Sequence, residues 1–185
     1  GKARCLGLLP DSVQVPVACA LDDMDQWRPV ATVLEGARIS GRATGLVSTS
    51  RVTHATPAAY ASHWHSRYND NAIMEQMCYQ GIDVVFGGGM RHLIDSSMRI
   101  PGSNAKGRRT DGENLLAYLR SQDYAVVRNR EELNGLGADR RKVWGMFAEN
   151  HMVHDIDKET FASTEPSLAE MTASAIEILS RDPDG

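Results

Sequence analysis

The sequence is poor in cysteine, with only Cys5, Cys19 and Cys78 in 185 residues. None stands in a Cys-x-x-Cys spacing, which excludes the compact zinc and redox motifs built on that pair. The odd count reads as buried thiols, with room for one disulfide in an oxidising compartment. Long apolar runs are also missing. Nothing approaches the ~20 apolar residues of a membrane span, and Gly1 to Leu9 lack the apolar core of a signal peptide. Nor is there a surplus of positive charge. A formal net charge of -4 and a pI near 5.9 give no electrostatic reason for nucleic-acid binding, because a phosphate backbone is met by an excess of Lys and Arg. The local run Lys106, Arg108, Arg109 reads as a solvated loop.

What is present is a globular composition, 42% hydrophobic and 24% charged, in a length that buries one core. From Trp27 onward helical patterns alternate with short β-branched runs, the signature of an α/β protein with a largely parallel sheet. Val30, Val33, Leu34 and Ala37 have helical spacing and Gly41 follows as a stop. Thr44 to Ser50 predicts a strand. Thr56-Pro57 predicts the cap and first turn of a helix carrying Ala58, Ala61, His65 and Tyr68. Asn71 to Tyr79 predicts a further helix, and Ile82 to Phe86 a strand ended by Gly87-Gly88-Gly89. After a Ser/Gly/Arg-rich loop from Asp95 to Thr110 come helix Glu113 to Arg120, strand Tyr124 to Arg128, helix Glu131 to Leu136 and strand Val143 to Phe147. Ser167 with Glu170 three residues on predicts a capping box for a last helix through Leu168, Met171, Ala175, Ile178 and Leu179. Pro10 to Asp25 has no periodicity.

The densest chemistry lies in STSRVTHATPAAYASHWHSR, Ser48 to Arg67. It puts His54, Thr56 and Arg67 around a strand end and the helix after it, where open α/β sheets bind ligands. A hydroxyl and an imidazole two residues apart suit a hard cation that keeps several waters, as Mg²⁺ does; the plainer reading is a helix cap beside a surface histidine. Arg67 offers a bidentate fork to phosphate, or is a surface arginine. His63 and His65 diverge if they lie on a helix. The triple glycine fails the dinucleotide pattern and predicts a tight turn where backbones approach closely. His151, His154, Asp155 and Asp157 read as structural polar residues, the last two on an edge strand.

The block STSRVTHATPAAYASHWHSR closely resembles the segment of alkaline phosphatases that builds the magnesium site and the phosphate clamp. DVVFGGG, RRTDGENLL, WGMFAENHMVHDID and EPSLAEMTASAIEILSR are similar to later segments of that family, in the family's order. The resemblance implies an α/β fold that is part of an alkaline-phosphatase-like sandwich, with a largely parallel central sheet flanked by helices. It makes residues 1–185 one partial domain, divergent over 1–26 and family-like over 27–185, closest to vacuolar-type eukaryotic and bacterial members. It implies hydrolysis of small phosphate monoesters through a phosphoserine, with Zn²⁺ (two per complete site) and Mg²⁺, in a homodimer of the vacuole, secretory pathway or periplasm.

Carried over by position, Thr56 matches the hydroxyl ligand of Mg²⁺, His54 the neighbour that tunes that site through water, and Arg67 the phosphate-binding arginine. The spacing of thirteen residues from His54 to Arg67 is the family's own. Pro10-Asp11-Ser12 resembles the family's Asp-Ser pair, which makes Ser12 the candidate nucleophile, although Val13-Gln14-Val15-Pro16 replaces the small residues expected after it. No zinc ligand is identifiable in this chain. Phe147 and Glu165 match two positions of a calcium site found in some animal members, but Ala148 stands where an acidic ligand is expected, so calcium is not predicted. The rival expectation is a catalytically incomplete fragment that at most binds phosphate. The His54-Ala55-Thr56-Pro57 block argues against the related sulfatases and phosphomutases.

Overall fold

The computed structural model describes residues 8–10, 27–161 and 163–184. Its centre is a four-stranded, wholly parallel sheet in the order β3-β4-β6-β5, formed by β3 (Gly45–Arg51), β4 (Val84–Gly88), β5 (Ala125–Val127) and β6 (Val143–Ala148). Two short strands, β1 (Leu8–Pro10) and β2 (Trp27–Pro29), pair antiparallel outside it. The helices are α1 (Val33–Ile39), α2 (Ala55–Ala58), α3 (Asp70–Tyr79), α4 (Leu115–Ser121), α5 (Arg130–Asn134) and α6 (Leu168–Leu179).

Side chains alternate across a strand, and that alternation divides the core in two. Val85 and Trp144, with Leu46 and Val126 at their margin, face Ile73, Met74 and Met77 of α3 and Leu115, Leu116 and Leu119 of α4. Val84, Phe86, Val127 and Val143 face the other way, onto Leu133 of α5 and Met171, Ala175 and Ile178 of α6. The strands are apolar on both faces because helices cover both. Cys78 lies in the first core as a free, buried thiol, and burial pushes its pKa up. Cys5 and Cys19 lie outside the described residues.

Local chemistry explains most element ends. Thr32 caps α1 in a reciprocal box with Glu35, so that helix begins at Val33 and leaves Val30 outside. The Ser167–Glu170 box opens α6 as the sequence predicts.

Three expectations are corrected. The helix expected from Thr56 to Tyr68 stops after Ala58, and its N-cap is His54, not Thr56. The segment beyond is held by another helix: Gln76 on α3 accepts from the His63 N–H at 2.6 Å and donates to the His63 carbonyl at 3.2 Å. Those backbone groups are therefore satisfied without continuing the helix. Asp155–Asp157 is a single 3₁₀ turn, not an edge strand.

The third correction concerns Arg109, which is fully buried and not part of a solvated loop. Its guanidinium donates to Asp111 and Glu113 at 2.5 and 3.0 Å and to the carbonyls of Asn71 and His92 at 3.0 and 3.3 Å. The arginine supplies five donors in a rigid fork, and here they tie the loop from 95 to 110 onto the start of α3. Lys106 and Arg108 are exposed as expected.

Candidate functional site

Parallel strands end on one side, so the C-terminal ends of β3, β4 and β6 lie together. Arg51 pairs with Gly88, and Gly88 with Ala148. The exits are then stitched by Val52 N–H to the Gly88 carbonyl and Gly89 N–H to the Ala148 carbonyl, both at 3.0 Å. Glycine is required at this crossing. A Cβ at Gly88 would lie 1.9 Å from the Asn150 carbonyl oxygen, and Gly89 has φ +104°. The close backbone approach expected of the triple glycine is what the structure shows.

This crossing sets the side chains around it. Arg51, the last residue of β3, forms an ion pair with Asp70 at 2.7 Å, and Asp70 also accepts from the Thr53 hydroxyl. Across the sheet end, Arg51 meets His151 twice: its Nη1 is 2.7 Å from Nε2 and its backbone N–H is 3.2 Å from Nδ1. An imidazolium could accept neither contact, and a neutral ring, which has a lone pair on one nitrogen only, accepts one of the two. In agreement, the His151 pKa is lowered, by burial first and then by the Arg51 charge. The His151 ring stands edge-on to that of His54, with centroids 5.5 Å apart.

His54 and Arg67, thirteen residues apart, are brought into contact: Arg67 Nη2 lies 3.1 Å from His54 Nε2. The arginine has no acceptor role, so it donates and the ring nitrogen carries a lone pair. Burial, then the charges of Arg67 and Arg51, lower the His54 pKa and keep it neutral. Arg67 has no carboxylate partner among the described residues, and the rest of its guanidinium remains available. Thr56 lies exposed in the first turn of α2, two residues beyond His54.

Other candidates fall elsewhere. His63 bonds Glu35 at 2.7 Å. The Glu165 carboxylate is taken by the Val153 N–H at 2.8 Å. Ser12 lies outside the described residues. Among the described residues, one group of three potential metal-binding side chains converges, Glu75, Asp111 and Glu113. Arg109 sits against all three, which neutralises the cluster in place of a cation. Sequence reading missed Arg51, Asp70 and His92, whose Nε2 lies 3.9 Å from Asp70, as members of the strand-end network, and took His151 for a structural polar residue; their spacing carries no signal, because the partners are not neighbours in the chain.

A family profile described as alkaline phosphatase matches residues 13–185. The chain belongs to the alkaline phosphatase family. It is 32% identical over 166 residues to an alkaline phosphatase of Schizosaccharomyces pombe, covering 86% of this chain and 30% of the relative. It is 38% identical over 154 residues to alkaline phosphatase 3 of Bacillus subtilis, covering 83% of this chain and 30% of that protein. The crystal structure of Thermus thermophilus alkaline phosphatase superposes with a TM-score of 0.76 at 30% identity, over 98% of this chain and 33% of that one. The chain thus spans about a third of the length of these relatives. The parallel sheet flanked by helices is the architecture of that fold, as the family resemblance implies.

Proposed function

We propose that these residues form part of the phosphate site of a phosphate monoester hydrolase. The observation that carries this reading is Arg67, placed at the strand ends by His54 and left without a carboxylate partner among the described residues. A planar guanidinium with donors to spare is matched to two phosphate oxygens. Neutral His54 accepts one of its N–H groups and so fixes the direction of the fork without adding a competing charge.

The donors near Arg67 also fit a share of a hydrated Mg²⁺ site. The exposed Thr56 hydroxyl would be a direct ligand, and the neutral His54 ring would act through water. When bound, the ion would neutralise charge on phosphate oxygens. For Zn²⁺ no matching donor set exists among the described residues, and no step is derived through it. Family membership supports attack by a serine, for which Ser12 is the candidate, and also supports a homodimer in the vacuole, secretory pathway or periplasm. No helix among the described residues is long and apolar enough to cross a membrane.

The test is hydrolysis of a chromogenic phosphate monoester by the chain with Mg²⁺ and Zn²⁺ added, comparing wild type with Arg67→Ala and Ser12→Ala. Loss of a preorganised transition-state donor costs about 10²- to 10³-fold in rate, and Arg67→Ala is expected to lower kcat/KM by that order. An Arg67→Ala variant as active as wild type would sink the reading. If wild type is inactive but binds inorganic phosphate through Arg67, the chain is the binding fragment of the rival expectation.

A further inference from the structure

Beside the site just described lies a second concentration of unpaired positive charge. Arg91 stands two residues beyond the triple glycine at the exit of β4, and Arg108 lies near the end of the loop that Arg109 pins down. The two are held side by side because the Arg108 N–H donates to the Arg91 carbonyl at 2.7 Å. Both line a cavity of about 320 Å³ with Tyr68, Asn69, Asn71 and His92. Both also line an adjoining cavity of about 450 Å³ that includes Lys106. Each volume is many times the ~30 Å³ share of a liquid water.

Neither nearby carboxylate is in ion-pair contact with Arg91 or Arg108. Asp70, which lines the first cavity, is engaged by Arg51 and Thr53, and lies 3.9 Å from His92 Nε2. Glu149, which lines the second, accepts from the Ser103 hydroxyl. Neither Arg91 nor Arg108 has an ion pair among the described residues, whereas Arg109, the next residue along, touches three carboxylates. Arg91 makes one side-chain hydrogen bond, from Nε to His92 Nε2 at 3.2 Å, which leaves its terminal nitrogens unused. Its pKa is lowered by burial first and then by the Arg108 charge, so the two guanidinium groups repel each other, with Asp70 and Glu149 offsetting part of that repulsion from a distance. The ten-residue helix α3 starts at the same cavity, with Asn69 as its cap, and adds the partial positive charge of its N-terminus.

We propose that the Arg91–Arg108 pair is a second oxyanion site, which takes a phosphoryl group beside the one that Arg67 would hold. Tyr68, adjacent to Arg67 in the chain, lines the cavity and links the two places. The ligand is a phosphoryl oxyanion, either free phosphate or the second phosphate of a bisphosphorylated substrate. The site stands on the arrangement of cations and does not depend on hydrolysis at Arg67.

The test titrates inorganic phosphate into the chain at low ionic strength and reads Kd by calorimetry. It compares wild type with Arg67→Ala, with the double variant Arg91→Gln/Arg108→Gln, and with Arg91→Lys/Arg108→Lys. Circular dichroism checks that each variant is folded. The site predicts binding that survives Arg67→Ala and, with Arg67→Ala as the common background, weakens at least about tenfold in the Gln variant and is partly restored in the Lys variant, which keeps charge but loses the fork. A sugar bisphosphate and its matching monophosphate separate the two sources. Tighter binding of the bisphosphate that vanishes in the Gln variant assigns the site to a second phosphoryl group; equal binding of the two assigns it to free phosphate. Phosphate binding that is absent in wild type, abolished by Arg67→Ala, or unchanged in the Gln variant overturns the proposal.

Discussion

Arg91 Nε donates to His92 Nε2 at 3.2 Å, and His92 Nδ1 faces Asn71 Oδ1 at 2.9 Å, so the ring proton belongs on Nδ1 and the bonded form is neutral. Burial, opposed by Asp70 but aided by Arg91, Arg51 and Arg108, lowers the His92 pKa from 6.5 to about 4. The unfolded chain therefore takes up this proton near pH 6.5, and the folded chain only near 4. Stability from this group is fully present above the unfolded value and is lost as pH falls through that window, by up to about 3 kcal/mol. His54 and His151, also lowered, act with the same sign. Urea unfolding at pH 7 and pH 5 should show wild type losing stability on acidification and His92→Gln losing less; equal losses would mean that His92 does not carry the effect. The sequence made part of this neighbourhood legible. His54, Thr56 and Arg67 stand in one short block with a family pattern, whereas the Arg51–His151 contact spans 100 residues and no local spacing reports it.

The crossing of β4 over the exit of β6 is the element on which the site geometry depends. Gly88→Ala would drive a Cβ into the Asn150 carbonyl at 1.9 Å, with backbone as the obstacle. Overpacking of this kind costs about 1–3 kcal/mol, and the shift would also move His151, one residue beyond Asn150. Gly36→Ala in α1, where nothing lies within 4 Å, is the control. It should stabilise by roughly 0.5–1 kcal/mol. Denaturation of the two variants should move in opposite directions, and a neutral Gly88→Ala would show that the crossing is not tight. At this scale the strands and the capped helices were readable because periodicity and caps are local. The stretch after Ala58 was not, because Gln76 on another helix takes the hydrogen bonds of His63 that would have continued the turn. Arg109 was misread for a related reason: its burial depends on carbonyls at Asn71 and His92, far from it in sequence.

Across the whole molecule, the parallel order of the sheet was legible from the alternation of strands and helices, while the strand order β3-β4-β6-β5 was not. The placement of β6 between β4 and β5 is what brings Glu149, Asn150 and His151 to the exits of β3 and β4. That same order gathers Arg51, Arg67, Arg91 and Arg108 at one end of a chain whose formal charge is -4. An anion diffusing toward this molecule is repelled by the average charge and drawn by one end of it. Such an arrangement acts on encounter rates before it acts on affinity, and its reach shrinks to about 8 Å at physiological ionic strength. The association rate of phosphate or of an anionic ester should therefore fall steeply as salt rises, and a neutral ligand should show no such dependence. The sheet that builds the site would then also set the direction from which its ligand arrives.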